Sequence, residues 1–301
     1  FQRFAAFRDT DALDRLTQHC IAHYWPDAAK AEEPVDAFFA NVVDSVARLG
    51  AEWYAAGFVH GVLNTDNINI TGESFDYGPW RFLDRFDSAF TAAYFDQSGL
   101  YSFGRQPEAL NWNLARLGEC LLPLSSLERI QTALDEFPSL FQHHLTAHTI
   151  ARLGLAPNED DDQARAATLA FWRAMQETSP PVQQVFHDLL GARPDRIADS
   201  PIRETLQSEP WLDVIDRLGA LAPAPGLDAA LAHPVAAEPP QTMIIEEVEA
   251  IWSAIDERDD WEPLYRKIEA LRRTADFNAT LGLQSGVIGR AGYTSLGGEV
   301  G

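Results

Sequence analysis

His60-Gly61-Val62-Leu63-Asn64-Thr65-Asp66-Asn67-Ile68-Asn69-Ile70, running on into Thr71-Gly72-Glu73-Ser74-Phe75-Asp76-Tyr77-Gly78-Pro79, is the most informative segment of this 301-residue chain. Short β-type runs at 59–63 and 68–70 alternate with turn-forming runs at 64–67 and 71–74, so the segment reads as a loop and hairpin set between helices. Oxygen donors held on such a hairpin suit Mg²⁺, which takes only one or two protein carboxylates and fills its other positions with water and phosphate oxygens. Asn67 and Asp76 supply one amide oxygen and one carboxylate, and Ile68, Ile70 and Phe75 would anchor the hairpin beneath them. Taken alone, 64–67 is an Asx-rich turn with no chemistry. His60, the strand residues and Asp76-Tyr77-Gly78 at hairpin distance shift the balance toward a site.

On either side of this segment the pattern is helical. Thr10 followed by acidic residues reads as an N-cap, and Leu13, Leu16, Cys20, Ile21 and Tyr24 recur at helical spacing. Val35, Phe38, Phe39, Val42, Val43, Val46 and Leu49 form a wide apolar stripe that predicts a long helix closed by Gly57. Further helices are expected near 109–122, 126–135, 139–153, 161–177, 181–190, 201–207 and 210–221. Residues 222–241 are rich in Pro and Ala and read as a linker; 242–275 reads as a helical pair split at Asp259-Asp260, and 276–301 as a loose Gly-rich tail.

Composition narrows the function classes. Lys+Arg number 23 against 45 Asp+Glu, a net charge of −22, and 46% of the residues are hydrophobic, enough for a sizeable core and against a disordered or disulfide-scaffold chain. Such a charge repels phosphate backbones and anionic lipid headgroups, so neither a nucleic acid nor a membrane is an expected partner. No run of apolar residues is long enough to span a bilayer. Cys20 and Cys120, with no metal or CxxC spacing, read as buried small hydrophobes in a reducing, cytoplasmic setting. The sequence leaves the oligomeric state open.

Kinase-type phosphotransferases place a His-x-Asp loop with a downstream Asn between short strands, then a turn and an Asp-Phe-Gly-like triplet; Asn67 and Asp76 fit the two metal positions. Where such kinases carry their proton-accepting Asp, two residues after the His, this chain has Val62. Asp66 is the carboxylate of the loop that could replace it. The runs HGVLNTDN and FDYGPWRFLD, with YSFGRQPEALNWNLARLGECLLPL downstream, resemble the selenoprotein O (YdiU) family, kinase-like proteins that act as protein adenylyltransferases. The resemblance is strongest over 1–122, compatible over 123–221 and loose over 242–274. It implies a mainly α, protein-kinase-like C-lobe over 1–221, with its catalytic loop at 60–80 and a small β-hairpin carrying the metal site, followed by a helical C-terminal extension. It also implies Mg²⁺ or Mn²⁺, ATP as substrate, and transfer of AMP to Ser, Thr or Tyr hydroxyls of proteins. Asp66 is then the proton acceptor, Asn67 and Asp76 bind the metal, and Asp76 also faces ATP.

Departures from the family pattern set the competing expectations. The strand lysine, its acidic partner and the Gly-rich loop that grip ATP in this fold would lie upstream of Phe1; Lys30, in a Pro/acidic connector, and Lys267, in a C-terminal helix, cannot replace them. The chain is therefore expected to be an incomplete fragment, and the alternatives are a kinase-like phosphotransferase or a non-catalytic helical fragment. The family's Cys-containing redox tail has no counterpart here. Gln106, Pro107, Trp112 and Asn113 are expected to brace the metal hairpin, while Asn64 and Tyr77 are either secondary site residues or ordinary turn and packing residues. His143, His144 and His148 read as a structurally satisfied or solvent-facing cluster, and 159–162 as the acidic first turn of a helix.

Overall fold

A computed structural model describes residues 1–74, 77–156 and 161–283. Over these residues the chain is mainly helical, as expected, with two short antiparallel strand pairs among them. Helix α1 (Gln2–Ala6) leads to α2 (Thr10–Tyr24), whose N-cap is Asp9 and not Thr10: the Asp9 carboxylate accepts from Ala12 N at 3.0 Å. α3 (Pro34–Ala56) starts on a proline, whose missing N–H costs nothing in a first turn, and ends at Gly57 in the left-handed conformation, φ +70°. Its buried residues, among them Phe38, Phe39, Val42, Val43, Val46 and Ala51, run nearly all round the helix, so α3 lies inside the molecule. Burying each of the larger side chains contributes about 1.5–3 kcal/mol.

Two cores share α3. On one side, α2, α4 (Gln106–Leu121), α5 (Leu127–Asp135) and the start of α6 (Phe137–Arg152) bury Ile21, Leu110, Leu114 and Ile130 against Phe38 and Phe39, with Leu63 contributed by the polar loop. On the other, Ala51 and Ala55 meet α6, α7 (Asp161–Thr178) and α8 (Val182–Asp188). Beyond α9 (Pro194–Asp199) and α10 (Arg203–Leu206), helix α11 (Glu209–Gly219) closes that core with Trp211 against Phe171.

The strands differ from the expected hairpin. β1 (Phe58–His60) pairs with β2 (Trp80–Phe82), with Val59 opposite Arg81, and among the described residues 68–70 contributes a single bridge, from Ile68 to Ser74. The polar stretch is thus the long connection of one hairpin. β3 (Leu155–Ala156) pairs with β4 (Ala222–Pro223). The Pro/Ala stretch 222–241 is structured locally: α12 (Leu227–Ala232) and a 3₁₀ turn at Pro234–Ala237 bury Leu227, Ala230 and Ala236 with Leu190 and Leu281, because small residues and a proline in the first turn suit short helices packed at close range. α13 (Ile245–Arg258) ends at Asp259, φ +51°, and α14 (Glu262–Thr280) carries the helical pair past 276, where a tail was expected to begin. The rest of that expected tail, 284–301, lies outside the described residues, as do 159 and 160 of the acidic turn. Among the described residues no helix is long and apolar enough to cross a membrane, and both cysteines are free and buried.

The histidine cluster is occupied by packing contacts: His144 Nε2 lies 2.8 Å from Asp44 Oδ1 and His148 Nε2 3.4 Å from Glu52 Oε1, across the α3–α6 contact. Burial, with His144 and Arg48 nearby, holds the His148 imidazole down at about 4, whereas burial pushes the Glu52 carboxyl up. An unfolded chain protonates its histidines near 6.5, so as pH falls from 6.5 toward 4 the unfolded state gains a proton that folded His148 refuses, and stability is lost. Glu52 acts in the opposite sense. We expect the fall in Tm between these pH values to be smaller in His148→Gln than in the wild type, measured by circular dichroism; identical falls would remove His148 as a contributor.

Candidate functional site

Gly57 turns the chain out of α3 into β1. Toward β2, Gly57 O accepts from Leu83 N at 2.9 Å, and Gly61 N donates to Pro79 O at 2.7 Å. A Cβ on Gly61 would stand 2.2 Å from Pro79 O, so only glycine closes the hairpin here. On the opposite edge of β1, the buried Gln106 amide acts as a third strand: Oε1 accepts from His60 N at 2.8 Å and Nε2 donates to Phe58 O at 2.9 Å. Asn113, two turns along the same face of α4, donates Nδ2 to Leu63 O at 2.9 Å. Gln106 and Asn113 therefore brace the loop as expected. Trp112 does not; it is exposed, under the Arg116 guanidinium at 5.3 Å.

His60 is fully buried among Trp53, Phe58 and Tyr77. Its Nδ1 accepts from Val62 N at 3.1 Å, which leaves Nε2 as the protonated nitrogen. The loop then closes on itself. Asn67 N donates to Asn64 O at 3.0 Å, Asn67 Nδ2 donates to Val62 O at 2.9 Å, and Asn67 O accepts from Ser74 Oγ at 2.7 Å. Asn67 is buried; with its Nδ2 engaged on Val62, the amide presents Oδ1 on its other side, which is the chemistry a hard cation needs. Asp66, its neighbour, is exposed. Gly72, φ +71°, lets the return arm approach Ser45 O of α3, where a Cβ would sit at 2.6 Å. Asp76, the second expected metal ligand and ATP contact, lies with Phe75 outside the described residues.

Several positioning residues carry no signal in the sequence pattern. Tyr101 donates its hydroxyl to Asn64 Oδ1 at 2.8 Å, and burial, then Asp96, then Asp66 push its phenol up. Asn64 is thus held by a partner 37 residues away. Trp25, at the end of α2, donates its indole N–H to Ile70 O at 3.2 Å, and Thr65 donates to Gln2 Oε1 at 3.2 Å. Tyr77 is half-exposed against His60 and Phe58, its phenol raised mainly by burial. Among the described residues no group of three or more His, Cys, Asp or Glu could hold a metal ion.

What the loop presents is one buried, hydrogen-bonded amide beside one solvent-facing carboxylate, hung from a mainly helical body. A family model described as protein adenylyltransferase SelO matches residues 1–272 of the chain. The protein nucleotidyltransferase YdiU of Gloeobacter violaceus is 34% identical over 284 residues, 91% of this chain and 58% of that protein. Its namesake in Mycolicibacterium smegmatis is 36% identical over 229 residues, 72% of this chain and 47% of that protein, and that of a Bradyrhizobium species 42% identical over 175 residues, 56% and 36%. The chain belongs to the SelO family. It spans about half the length of the curated relatives it matches.

Replacing Gln106 by leucine strands His60 N–H and Phe58 C=O together. At about 1–3 kcal/mol for each of the two unsatisfied buried groups, Gln106→Leu is expected to cost about 2–6 kcal/mol in urea unfolding. An unchanged midpoint would show that the clamp is dispensable.

Proposed function

We propose that this chain supplies the metal-binding and proton-accepting part of a protein adenylyltransferase, built as a kinase-like C-lobe, that transfers AMP from ATP to Ser, Thr or Tyr hydroxyls of proteins. The observation that carries this is the division of labour between adjacent residues: Asn67 buried with its amide fixed by Val62 and the backbone of the same loop, Asp66 exposed beside it. Membership of the SelO family supports the nucleotidyl assignment. Residues 1–221 form the lobe in this reading, and 242–275 its helical extension.

Asp66 takes the proton of the acceptor hydroxyl. The hydroxyl oxygen forms a bond to the α-phosphorus of ATP as the bond from that phosphorus to the bridging oxygen breaks, and pyrophosphate leaves with the electron pair. Asn67 and Asp76 hold the divalent cation, Mg²⁺ or Mn²⁺, whose chemistry when bound is to neutralise charge on the phosphates. Asp76 also faces the nucleotide. Val62 cannot accept a proton where kinases carry their base, which weighs against phosphoryl transfer by the same loop.

The test is the complete gene product carrying residues 1–301, incubated with Mg²⁺ and ATP labelled separately at the α- and γ-phosphate. Label from the α-position is expected on protein; γ-label would make the protein a kinase, and no label from either would leave a non-catalytic fold. Asp66→Ala is expected to cut transfer by about 10²-fold or more, the usual worth of a general base. Asp76→Ala is expected to abolish it, and full activity in that variant would sink the metal assignment.

A further inference from the structure

The turn between β2 and α4 presents side chains that the loop chemistry does not use. Tyr94 is 93% exposed and Phe95 55% exposed, edge to face with ring centroids 5.3 Å apart, and Leu100 stands exposed across the same turn. Their backbone is pinned. The Asp96 carboxylate accepts from Tyr101 N at 2.8 Å, Leu100 N at 2.9 Å and Ser98 Oγ at 3.2 Å, while Gly99 N and Ser102 N close successive turns on Asp96 O and Gly99 O. Burial opposes ionisation of Asp96, but these hydrogen bonds outweigh it and hold its carboxyl below the ordinary range. A partner meeting this surface therefore orders little of it on binding, which is where exposed aromatics yield most affinity.

Two further features say what the partner is. Tyr101, next to Leu100, donates its hydroxyl to Asn64 Oδ1 at 2.8 Å, so the aromatic turn is hydrogen-bonded to the loop on which Asp66, two residues on, is exposed. The stretch 84–105 also carries three aspartates against two arginines, Arg85 and Arg105, in a chain of net charge −22, and Arg105, which donates to Gly99 O of the turn, is already paired with Glu108. Asp84 and Asp87 are exposed. Acidic surroundings and the faces of two exposed rings both favour Lys and Arg, the rings through cation–π attraction.

We propose that Tyr94, Phe95 and Leu100 form the docking surface for the acceptor protein, taking an apolar side chain flanked by Lys or Arg and presenting the neighbouring hydroxyl to Asp66. This rests on the adenylyltransferase reading, but it is tested without transfer. A fluorescein-labelled synthetic peptide with one serine between two leucines, flanked on each side by two arginines, is titrated by anisotropy into the complete gene product with no ATP or metal. Saturable binding is expected, weakened about tenfold or more in the double variant Tyr94→Ser, Phe95→Ser, and absent for the counterpart peptide with glutamate in place of arginine. Both residues are solvent-exposed, so the variant is expected to melt at the wild-type temperature. No binding of the arginine peptide, equal binding by wild type and variant, or equal binding of the two peptides would each overturn the docking surface. Intact peptide binding with no α-label transfer would overturn the adenylyltransferase reading and spare the surface.

Discussion

A single glutamine amide fixes the loop in space. β1 uses alternate backbone groups in opposite directions: Gly57 O and Gly61 N face β2, whereas Phe58 O and His60 N face away from it. A two-stranded ribbon leaves that outer edge unpaired, and in a buried setting each stranded group is costly. Gln106 offers an acceptor and a donor at the separation of a neighbouring strand and satisfies both. Its position in the first turn of α4 is what makes this possible, because Pro107 and the helix start hold the side chain beside the strand. Without the clamp, His60 N–H and Phe58 C=O would be stranded at the root of the loop, and the contacts farther along, from Asn113, Trp25 and Tyr101, would be left to hold it.

From there the order passes along the loop by short hydrogen bonds. Asn113 takes Leu63, His60 takes Val62 N, and Asn67 takes Val62 O. Val62, unable to act as a base, thereby serves through its backbone, which explains how a residue without chemistry can occupy that position at no structural cost. The consequence is a buried amide whose orientation is fixed by the loop's own hydrogen bonds. Asp66, beside it, is exposed to solvent.

The sequence made α3 legible because its apolar stripe is wide and its end is marked by Gly57, both local signals. It made Asn67 and Asp66 legible as a pair of residue types, and Gln106 and Asn113 as braces. It did not reveal that β1 pairs with 80–82, since that register is set by contacts across a 19-residue loop and by the ring contacts of Phe58 with Trp80 and Phe82. Nor could it show Tyr101 or Trp25 at the loop, whose partners are 37 and 45 residues away. At 222–241, Pro and Ala content suggested a linker, but burial of Leu227 and Ala230 against Leu190 depends on helices far earlier in the chain. Thr10 and Asp9 are both good caps, and only the bond to Ala12 N separates them.

The end of α3 bears the load between the two cores, and its chemistry explains why an arginine sits there. The last carbonyls of a helix lack partners and carry partial negative charge. Arg152 donates to Ala55 O and, at 2.8 Å, to Gln183 Oε1, while Gln183 Nε2 donates to Ala56 O at 3.0 Å. The guanidinium plane lies over the Phe186 ring, 3.7 Å from its centroid, and burial lowers its ionisation only to about 10, so the cation persists at neutral pH. A lysine could not stack in this way while donating in plane, and would surrender its proton more readily on burial. The helix dipole and the ring face take the place of a carboxylate, which lets α6 and α8 close over α3 exactly where it hands the chain to β1. The hairpin thus starts from a capped, charge-balanced helix end and is clamped by Gln106 one strand later, and the loop between those two fixed points inherits its geometry from both.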